Sequence, residues 1–291
     1  VVNKAGFSVI GQSGNLAPCD KKLYALRDVT ETVSNIGLIA ASIMSKKLAA
    51  GSDIIILDVK YGKGAFMKTV SEASKLAALM VAIGKNAGKK VEAIITSMEE
   101  PLGHKIGNAL EVYEAIQTLQ NKGPKDLKEV VITIASEQLV LAGLTNTIKE
   151  AKELLETKLN NGEALNKFKE FIIAQGGKSE QLDNPETLIS KNIYEYKAKE
   201  DGVISSFETE EIGNICRLLG AGRLSIDDVI DPLVGLDLIK KLGAKVSKGE
   251  TILKIYYKDN YELDPIIKLL DNAITIKKSA KKAKLIAKII K

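Results

Sequence analysis

The chain has 291 residues, of which 45% are hydrophobic and 27% are charged, so it can bury a sizeable core in one large domain or two ordinary ones. The 42 basic residues exceed the 37 acidic ones only slightly and tryptophan is absent, which argues against a surface that stacks nucleic-acid bases. The two cysteines form no CxxC pair, and no apolar run reaches the roughly 18 residues of a membrane span. We therefore expect a cytoplasmic protein with neither nucleic-acid nor membrane partners.

Strand-like and helical patterns alternate along the first half of the chain. They predict strands over residues 7–11, 52–60 and 90–96, and helices over residues 24–34, 38–49, 71–87, 108–119 and 127–143. Because the run at 52–60 (SDIIILDVK) is continuously apolar, it is typical of a strand buried on both faces of a parallel sheet. The alternation therefore predicts an α/β domain with a mainly parallel sheet flanked by helices.

The pattern changes after a polar segment at residues 178–185, which we interpret as a linker. Beyond it, β-rich runs at 193–199, 202–208 and 251–257 predict an α+β module similar to the barrel-sandwich folds of biotin and lipoyl domains. The basic stretch at 277–291 predicts a terminal amphipathic helix whose apolar face is docked.

The apolar segment that follows Tyr24 carries three polar side chains that could converge on a ligand. Ser42 and Lys46 are four residues apart and share one helical face, while Arg27 comes from the preceding helix. A hydroxyl, an ammonium and a planar guanidinium suit a small polar planar ligand. On spacing alone, the simpler interpretation is an amphipathic helix with its lysine on the solvated edge.

Two glycine-bearing loops follow predicted strands, where ligands bind in open α/β sheets. In DVKYGKGAFM (58–67), the glycines allow close backbone approach and Phe66 offers an apolar wall. In SMEEPLGHKIGNALEVYEA (97–115), backbone carbonyls precede Glu111 and Glu114, and carbonyls with a carboxylate can hold a hard cation. The alternatives are a plain connection and a capped helix, and we interpret His104 as a loop residue rather than a catalyst.

Four motifs, in order and at similar spacing, resemble those of the pyrimidine-nucleoside and thymidine phosphorylases. They are GQSGNLAPCDKKLYALRD, LIAASIMSKK, LDVKYGKGAFM and PLGHKIGNALEVYEA. The resemblance extends from about residue 10 to the end of the chain and includes VIDPLVGLDLIKKLGAKVSKGETIL. It implies reversible phosphorolysis, in which a pyrimidine nucleoside and phosphate give a free base and a pentose 1-phosphate, without an organic cofactor.

The resemblance also implies roles for individual residues. Arg27, Ser42 and Lys46 match the residues that bind the pyrimidine ring, and Tyr24, Ile39 and Phe66 match its apolar neighbours. Members of the Bacillus type bind a monovalent cation such as potassium, which implies the carbonyls of Leu102 and Lys105 and the carboxylate of Glu114, with Glu111 as runner-up. The implied partners are the nucleoside, phosphate as co-substrate and a second copy of the chain in a homodimer.

The sequence departs from the family at its beginning. The family's K-H-S-T-G-G-x-G-D phosphate loop and G-G-T-x-D-K-L-E segment precede the IGQ motif and have no match here. We therefore expect the C-terminal two-thirds of a phosphorylase, lacking the phosphate site and inactive alone. The expected parts are an α/β domain at 1–18 and 50–190, the remnant of a helical lobe at 19–49 and a C-terminal α+β domain at 191–291. Gly37 and Cys19 replace the family's usual proline and alanine.

Two alternatives remain at this point. The chain could be a split or decayed phosphorylase that binds base or a complementary N-terminal half. It could also be a relative of the phosphoribosyltransferases, which share the plan of the helical lobe, although the VSKGETIL segment argues against this. Uridine and thymidine both remain candidate substrates.

Overall fold

The computed structural model describes residues 1–9, 17–30, 32, 35–225 and 227–291, with the side chains of Lys21, Tyr24, Ala25, Arg27, Asp28 and Val29 left out. The helices are α1 (Val2–Ala5), α2 (Pro18–Val29), α3 (Ile36–Ala49), α4 (Val70–Asn86), α5 (Asn108–Leu119), α6 (Lys125–Leu141), α7 (Ile148–Asn160), α8 (Glu163–Ala174), α9 (Glu180–Asp183), α10 (Thr209–Cys216) and α11 (Asp264–Ala273). The strands are β1 (Ile54–Tyr61), β2 (Lys90–Ser97), β3 (Lys105–Ile106), β4 (Asn192–Lys197), β5 (Gly202–Phe207), β6 (Gly235–Leu238), β7 (Lys245–Val246), β8 (Thr251–Tyr257), β9 (Ile274–Lys277) and β10 (Ile286–Ile290).

The chain divides into two compact units by its internal contacts. Unit 1 comprises Val1–Gly6, Met98–Glu129 and Thr157–Ala283. Unit 2 comprises Phe7–Ser97, Val130–Glu156 and Lys284–Lys291. This grouping rests on packing, whereas the three-part division by sequence rests on pattern and stays a prediction.

Unit 2 contains a three-stranded sheet in the order β1-β2-β10. β1 and β2 run parallel, and β10 runs antiparallel to β2. Helix α4 begins at a capping box formed by Thr69 and Glu72 and packs on β1 and β2. A Cβ at Gly84 would lie 2.3 Å from Cγ2 of Val91, so this helix and strand approach as closely as they do only because residue 84 is glycine.

The core of unit 2 lies on the face of the sheet that α4 covers. Leu57 and Val59 of β1 and Ala93 of β2 are buried there with the apolar side of α4. Ala40 and Met44 of α3 are fully buried in the same cluster. Helix α3 is therefore held by its apolar face, which fixes the direction of the polar residues between these positions.

Unit 1 contains two antiparallel sheets, in the orders β3-β6-β8-β4 and β7-β5-β9. Their buried side chains form one cluster with helices α10 and α11, in which Phe207 and Leu236 are completely buried. The short strand β3 pairs with β6 through Lys105 and Ile106, so the loop before β3 is anchored to this sheet.

The mixed α/β architecture predicted from the sequence is confirmed, and strands at 52–60 and 90–96 and helices at 71–87 and 108–119 fall within two residues of the observed bounds. The strand predicted over 7–11 is wrong for residues 7–9, which lie in no strand, and its remainder falls outside the described residues. The predicted linker at 178–185 instead contains α9 and leads into a 3₁₀ turn at Pro185–Leu188.

The helix predicted over 277–291 is also wrong, because that stretch ends in strand β10. The edge of β2 offers unpaired backbone groups, and pairing with them outweighs a helical pattern of apolar residues. Among the described residues, no helix is both long and apolar enough to cross a membrane.

Candidate functional site

Helix α3 brings Ser42 and Lys46 together, as their spacing predicts. The helix begins after Asn35, whose side chain accepts a hydrogen bond of 3.1 Å from the backbone N–H of Leu38. Ser42 is buried, and Nζ of Lys46 lies 3.4 Å from its Oγ. Ile39 lies one turn earlier on the same face and packs against the core of unit 2. This face therefore offers a hydroxyl and an ammonium beside an apolar floor.

A carboxylate that the sequence analysis did not place in the site completes this cluster. Oδ2 of Asp20, in the first turn of α2, lies 3.0 Å from Nζ of Lys46, and its side chain is 9% exposed. The ion pair joins the consecutive helices α2 and α3 through residues that do not share a helical face. No local spacing signals such a pair, which is why only the fold reveals it.

The structure describes fewer atoms of the other residues that were predicted to bind the base. The backbone of α2 carries Arg27 and Tyr24, but their side chains lie outside the described residues. Phe66 lies in the loop after β1 and is 79% exposed. This loop is closed by a hydrogen bond of 3.0 Å from the N–H of Gly62 to the carbonyl of Met67, and Gly62 has φ +112°. The turn therefore presents Phe66 to solvent.

In unit 1, two of the predicted cation residues, Lys105 and Glu114, meet at the buried carboxylate of Glu114. Its Oε1 accepts hydrogen bonds of 2.8 Å from the N–H of His104 and 3.1 Å from the N–H of Lys105. Burial raises the pKa of Glu114, and the two backbone hydrogen bonds oppose this effect. Gly103 has φ +71°, and a Cβ there would lie 2.1 Å from Oε2 of Glu114, so the loop folds around the carboxylate only with glycine at this position.

The backbone of this loop divides its hydrogen bonds between strand β6 and the carboxylate of Glu114. The N–H of Leu238 donates to the carbonyl of His104 at 2.7 Å, so residue 104 faces β6. Glu114 accepts the N–H of His104 as well as that of the next residue, Lys105, so the loop is tied to both β6 and α5. Carbonyl and carboxylate oxygens suit a hard cation. Within the described ranges there is no group of three or more His, Cys, Asp or Glu residues that could hold a metal.

Lys241 holds the same loop from another side and was not found from the sequence. Its Nζ donates hydrogen bonds to the carbonyls of Pro101 and Gly103, the latter at 2.7 Å, and lies 3.0 Å from Oδ2 of Asp126. The Asp126 carboxylate also accepts the N–H of Gly103 at 3.1 Å. Burial raises the pKa of Asp126, but the charge and hydrogen bond of Lys241 outweigh it and the pKa is lowered.

A groove of about 690 Å³ opens beside this loop in unit 1. Five lysines and four carboxylates line it, among them Glu114, Lys105, Asp237 and Lys241. Lys105 and Asp237 form an ion pair of 2.6 Å across part of its wall. The charges of the wall are therefore largely balanced, which favours neither a strongly anionic nor a strongly cationic ligand.

Comparison with known proteins identifies the family. Residues 1–165 match the model of the glycosyl transferase family, a/b domain, and residues 203–277 match that of the pyrimidine nucleoside phosphorylase C-terminal domain. The chain is 53% identical over all its 291 residues to the pyrimidine-nucleoside phosphorylase of Staphylococcus epidermidis, and 52% identical to that of Staphylococcus aureus. In each case it covers 67% of the relative's length. The chain belongs to the pyrimidine-nucleoside phosphorylase family.

The Ser42–Lys46 pair and Glu114 with the loop before α5 both fall within the matched a/b domain, which ends at residue 165. Ser42 and Lys46 lie in unit 2, and Glu114 with its loop lies in unit 1. The C-terminal domain match covers strands β5 to β9 of unit 1. The resemblance drawn from four motifs is thus confirmed at the level of the family.

Proposed function

We propose that the chain acts as a pyrimidine-nucleoside phosphorylase, a pentosyltransferase that exchanges a pyrimidine base for phosphate at C1′ of a pentose. The observation that carries this proposal is identity above one half along the whole chain to enzymes of that name. In the reaction, an oxygen of phosphate forms a bond to C1′ while the bond from C1′ to the ring nitrogen breaks. The bonding electrons leave with the base, whose carbonyl oxygens gather negative charge.

For base binding, we propose Lys46, Ser42 and Arg27. The Lys46 ammonium would stabilise the charge that develops on a carbonyl oxygen of the base, and Ser42 would orient the ring by a hydrogen bond. The guanidinium of Arg27 matches the acceptors of a planar ring. The distance of 3.4 Å between Nζ of Lys46 and Oγ of Ser42 supports a joint role for these two residues. Tyr24, Ile39 and Phe66 are the proposed apolar neighbours of the ring, and the exposure of Phe66 leaves one of its faces available to a ligand.

For cation binding, we propose the carbonyls of Leu102 and Lys105 and the carboxylate of Glu114, holding a monovalent ion such as potassium. The oxygen donors and the glycine cradle at Gly103 support this assignment. A bound cation would add positive potential near the loop. The chain's own part is to keep Glu114 buried and tied to the backbone of His104 and Lys105.

The broader assignments belong to the same proposal. We propose phosphate as co-substrate, action in the cytoplasm, a mainly parallel sheet in the α/β domain and a barrel-sandwich-like C-terminal module. We also propose a homodimer, which the 50% and 56% exposure of Leu23 and Leu26 on α2 supports, because exposed apolar side chains on one helix suit a protein partner. A Leu26→Glu variant should then shift sedimentation toward a monomer, and an unchanged sedimentation coefficient would contradict the dimer.

The test of the function is an assay of uridine and thymidine phosphorolysis. Because the chain covers 67% of its staphylococcal relatives, the assay is run on the chain alone and with the separately expressed part of the S. epidermidis enzyme that has no counterpart here. We expect phosphate-dependent release of base in at least one arrangement. Absence of release in both arrangements, or release that depends on phosphoribosyl pyrophosphate instead of phosphate, would refute the function.

Two adjacent lysines of α3 provide a matched pair of variants for the base site. Lys46→Ala should lower the rate about 100-fold or more, as expected when a donor to a developing negative charge is lost. Lys47→Ala removes an equal charge from an exposed position of the same helix and should leave the rate unchanged. Arg27→Ala should resemble Lys46→Ala. A wild-type rate in Lys46→Ala would remove Lys46 from the site while leaving the function standing.

A further inference from the structure

The carboxylate of Asp20 lies almost out of solvent beside a residue of the proposed base site. Its side chain is 9% exposed, whereas that of Lys46 is 32% exposed, and the two charged groups are 3.0 Å apart. A carboxylate this buried is costly unless a cation or hydrogen-bond donor faces it. Lys46 meets that need, and the geometry in turn restricts where the Lys46 ammonium can lie.

The ammonium of Lys46 is fixed from two sides. One N–H direction is taken by Asp20 from α2, and a second is directed at Oγ of Ser42, 3.4 Å away on its own helix. An ammonium has three N–H groups, so with respect to the described residues one direction remains for a ligand. A lysine side chain with four rotatable bonds would otherwise sample many positions, and the two contacts reduce that freedom before any ligand arrives.

We propose that Asp20 is a positioning residue of the base site: it holds the Lys46 ammonium beside Ser42, aimed at a carbonyl oxygen of an uncharged pyrimidine base. This inference rests on the proposed function and deepens it. Asp20 acts through Lys46 and is given no contact with the substrate.

The pairing also bears on which ligands the site accepts. Asp20 and Lys46 together carry no net charge, so the pair attracts a free anion less than an isolated lysine would. A neutral base with carbonyl acceptors needs only the one remaining N–H. As the glycosidic bond breaks, the growing negative charge on the base meets an ammonium that is already in place, so little reorganisation is needed.

Asp20 also lies in the first turn of α2, where a carboxylate stabilises a helix, so a test must separate the two roles. Asp20→Asn keeps the size and hydrogen-bonding oxygen of the side chain and removes its charge. Asp20→Glu keeps the charge and serves as the rescue variant. Asp53→Asn is the matched control, because Asp53 pairs with Lys89 at 3.1 Å in the same unit but its side chain is 94% exposed.

The first measurement is an isothermal calorimetric titration of the full chain with uracil, which gives the dissociation constant. Asp20→Asn should weaken binding about tenfold, as expected when a hydrogen bond to a charged group loses its orientation. Asp20→Glu should recover part of this loss, and Asp53→Asn should bind as wild type does. Equal binding by wild type and Asp20→Asn would overturn the inference.

The second measurement does not require uracil to bind. An ammonium held by hydrogen bonds exchanges its protons with water slowly, so the ammonium signal of Lys46 should be visible by ¹⁵N NMR in the wild type. Its loss in Lys46→Arg assigns the signal. We expect the same signal to disappear in Asp20→Asn. Persistence of the signal in Asp20→Asn would overturn the positioning role. Failure of the wild type to bind uracil would instead refute the proposed base site, which keeps the two failures distinguishable.

Discussion

Carboxylates of the two units that lie near the proposed sites are held in different ways. In unit 1, Glu114 accepts two backbone N–H groups, and Asp126 accepts those of Gly103 and Leu127 in addition to the ammonium of Lys241. In unit 2, Asp20 faces the ammonium of Lys46, and Glu137 faces that of Lys291 at 2.8 Å. Glu114 of unit 1 is thus tied to main chain, whereas Glu137 of unit 2 is tied to a lysine side chain, as Asp237 of unit 1 is to that of Lys105.

This difference has consequences for what each carboxylate can fix. A carboxylate bound by backbone N–H groups determines the path of a loop, because the donors cannot move without the chain. A carboxylate bound by a lysine determines where one flexible side chain points. Unit 1 therefore has a loop whose path is fixed by Glu114, and unit 2 has an ammonium held by Asp20.

The largest change in stability should come from Glu114→Ala, which removes the carboxylate that the loop backbone of unit 1 binds. The variant leaves the N–H groups of His104 and Lys105 without their acceptor and opens a cavity, so the free energy of unfolding should fall by about 3 kcal/mol. Urea denaturation measures the loss, and hydrogen exchange of these two amides should accelerate.

Glu111→Ala is the control for this variant, on the same helix one turn earlier. Among the described residues, its Oε1 accepts a hydrogen bond only from the N–H of Gly107, at 3.3 Å, and its side chain is exposed. The loss should stay below about 1 kcal/mol, as for a helix cap. Equal losses in the two variants would contradict the special role of Glu114 in shaping the loop.

A smaller loss of stability is expected for Lys241→Met, which removes the ammonium that holds the same loop. Asp126 and the carbonyls of Pro101 and Gly103 then lose a shared donor. We expect a loss of about 2 kcal/mol, below the value for a fully buried pair because the Asp126 side chain is 25% exposed. Lys240→Met is the control, since Lys240 pairs with Glu250, whose side chain is 40% exposed, and the variant should unfold at nearly the same urea concentration as the wild type.

The pH dependence of the Lys241→Met effect gives an independent check. The pKa of folded Asp126 is lowered from 3.8, so its ion pair contributes stability that is complete above pH 3.8 and is lost as pH falls through the lower folded pKa. The wild type should therefore lose stability in that acid range, and Lys241→Met should lose less there. Thermal unfolding between pH 2 and 6 measures this, and parallel curves would exclude the pair as a source of stability.

Sequence patterns predicted the features that depend on neighbours along the chain. The Ser42–Lys46 contact follows from their spacing on one helix, and β1 follows from a continuous apolar run. The position of Glu114 opposite its loop came from the family resemblance rather than from pattern, since a carboxylate on a helix is usually solvated. These predictions needed no knowledge of the tertiary arrangement.

The features that were missed or mistaken depend on partners distant in sequence. Asp20 meets Lys46, and Lys241 meets Asp126, only after separate elements pack, so no periodicity signals either pair. Strand β10 was predicted as helix because its basic and apolar residues fit a helical face. The available edge of β2 decided its structure instead.

The smallest effect, and the one opposite in sign, is expected at Glu92 of β2. Glu92 and Glu137 are both buried and lie beside the single ammonium of Lys291, 3.7 Å from Glu92, while Oε2 of Glu92 has no hydrogen-bond partner among the described residues. Burial raises the pKa of Glu92 above 4.5, Lys291 opposes this, and Glu137 adds to it. Folding therefore takes up a proton between pH 4.5 and the raised pKa, so stability falls as pH rises through that range.

Glu92→Gln removes the titrating group and keeps the shape of the side chain. We expect the variant to be modestly more stable than the wild type at neutral pH, since no buried charge must then form beside Glu137. Its thermal midpoint should also depend less on pH above 4.5, with Asp53→Asn as the exposed control that keeps the wild-type profile. A Glu92→Gln midpoint below that of the wild type at pH 7 would mean that Lys291 compensates both carboxylates. In that case, a single lysine would hold two buried acids of unit 2 as firmly as the main chain holds Glu114 in unit 1.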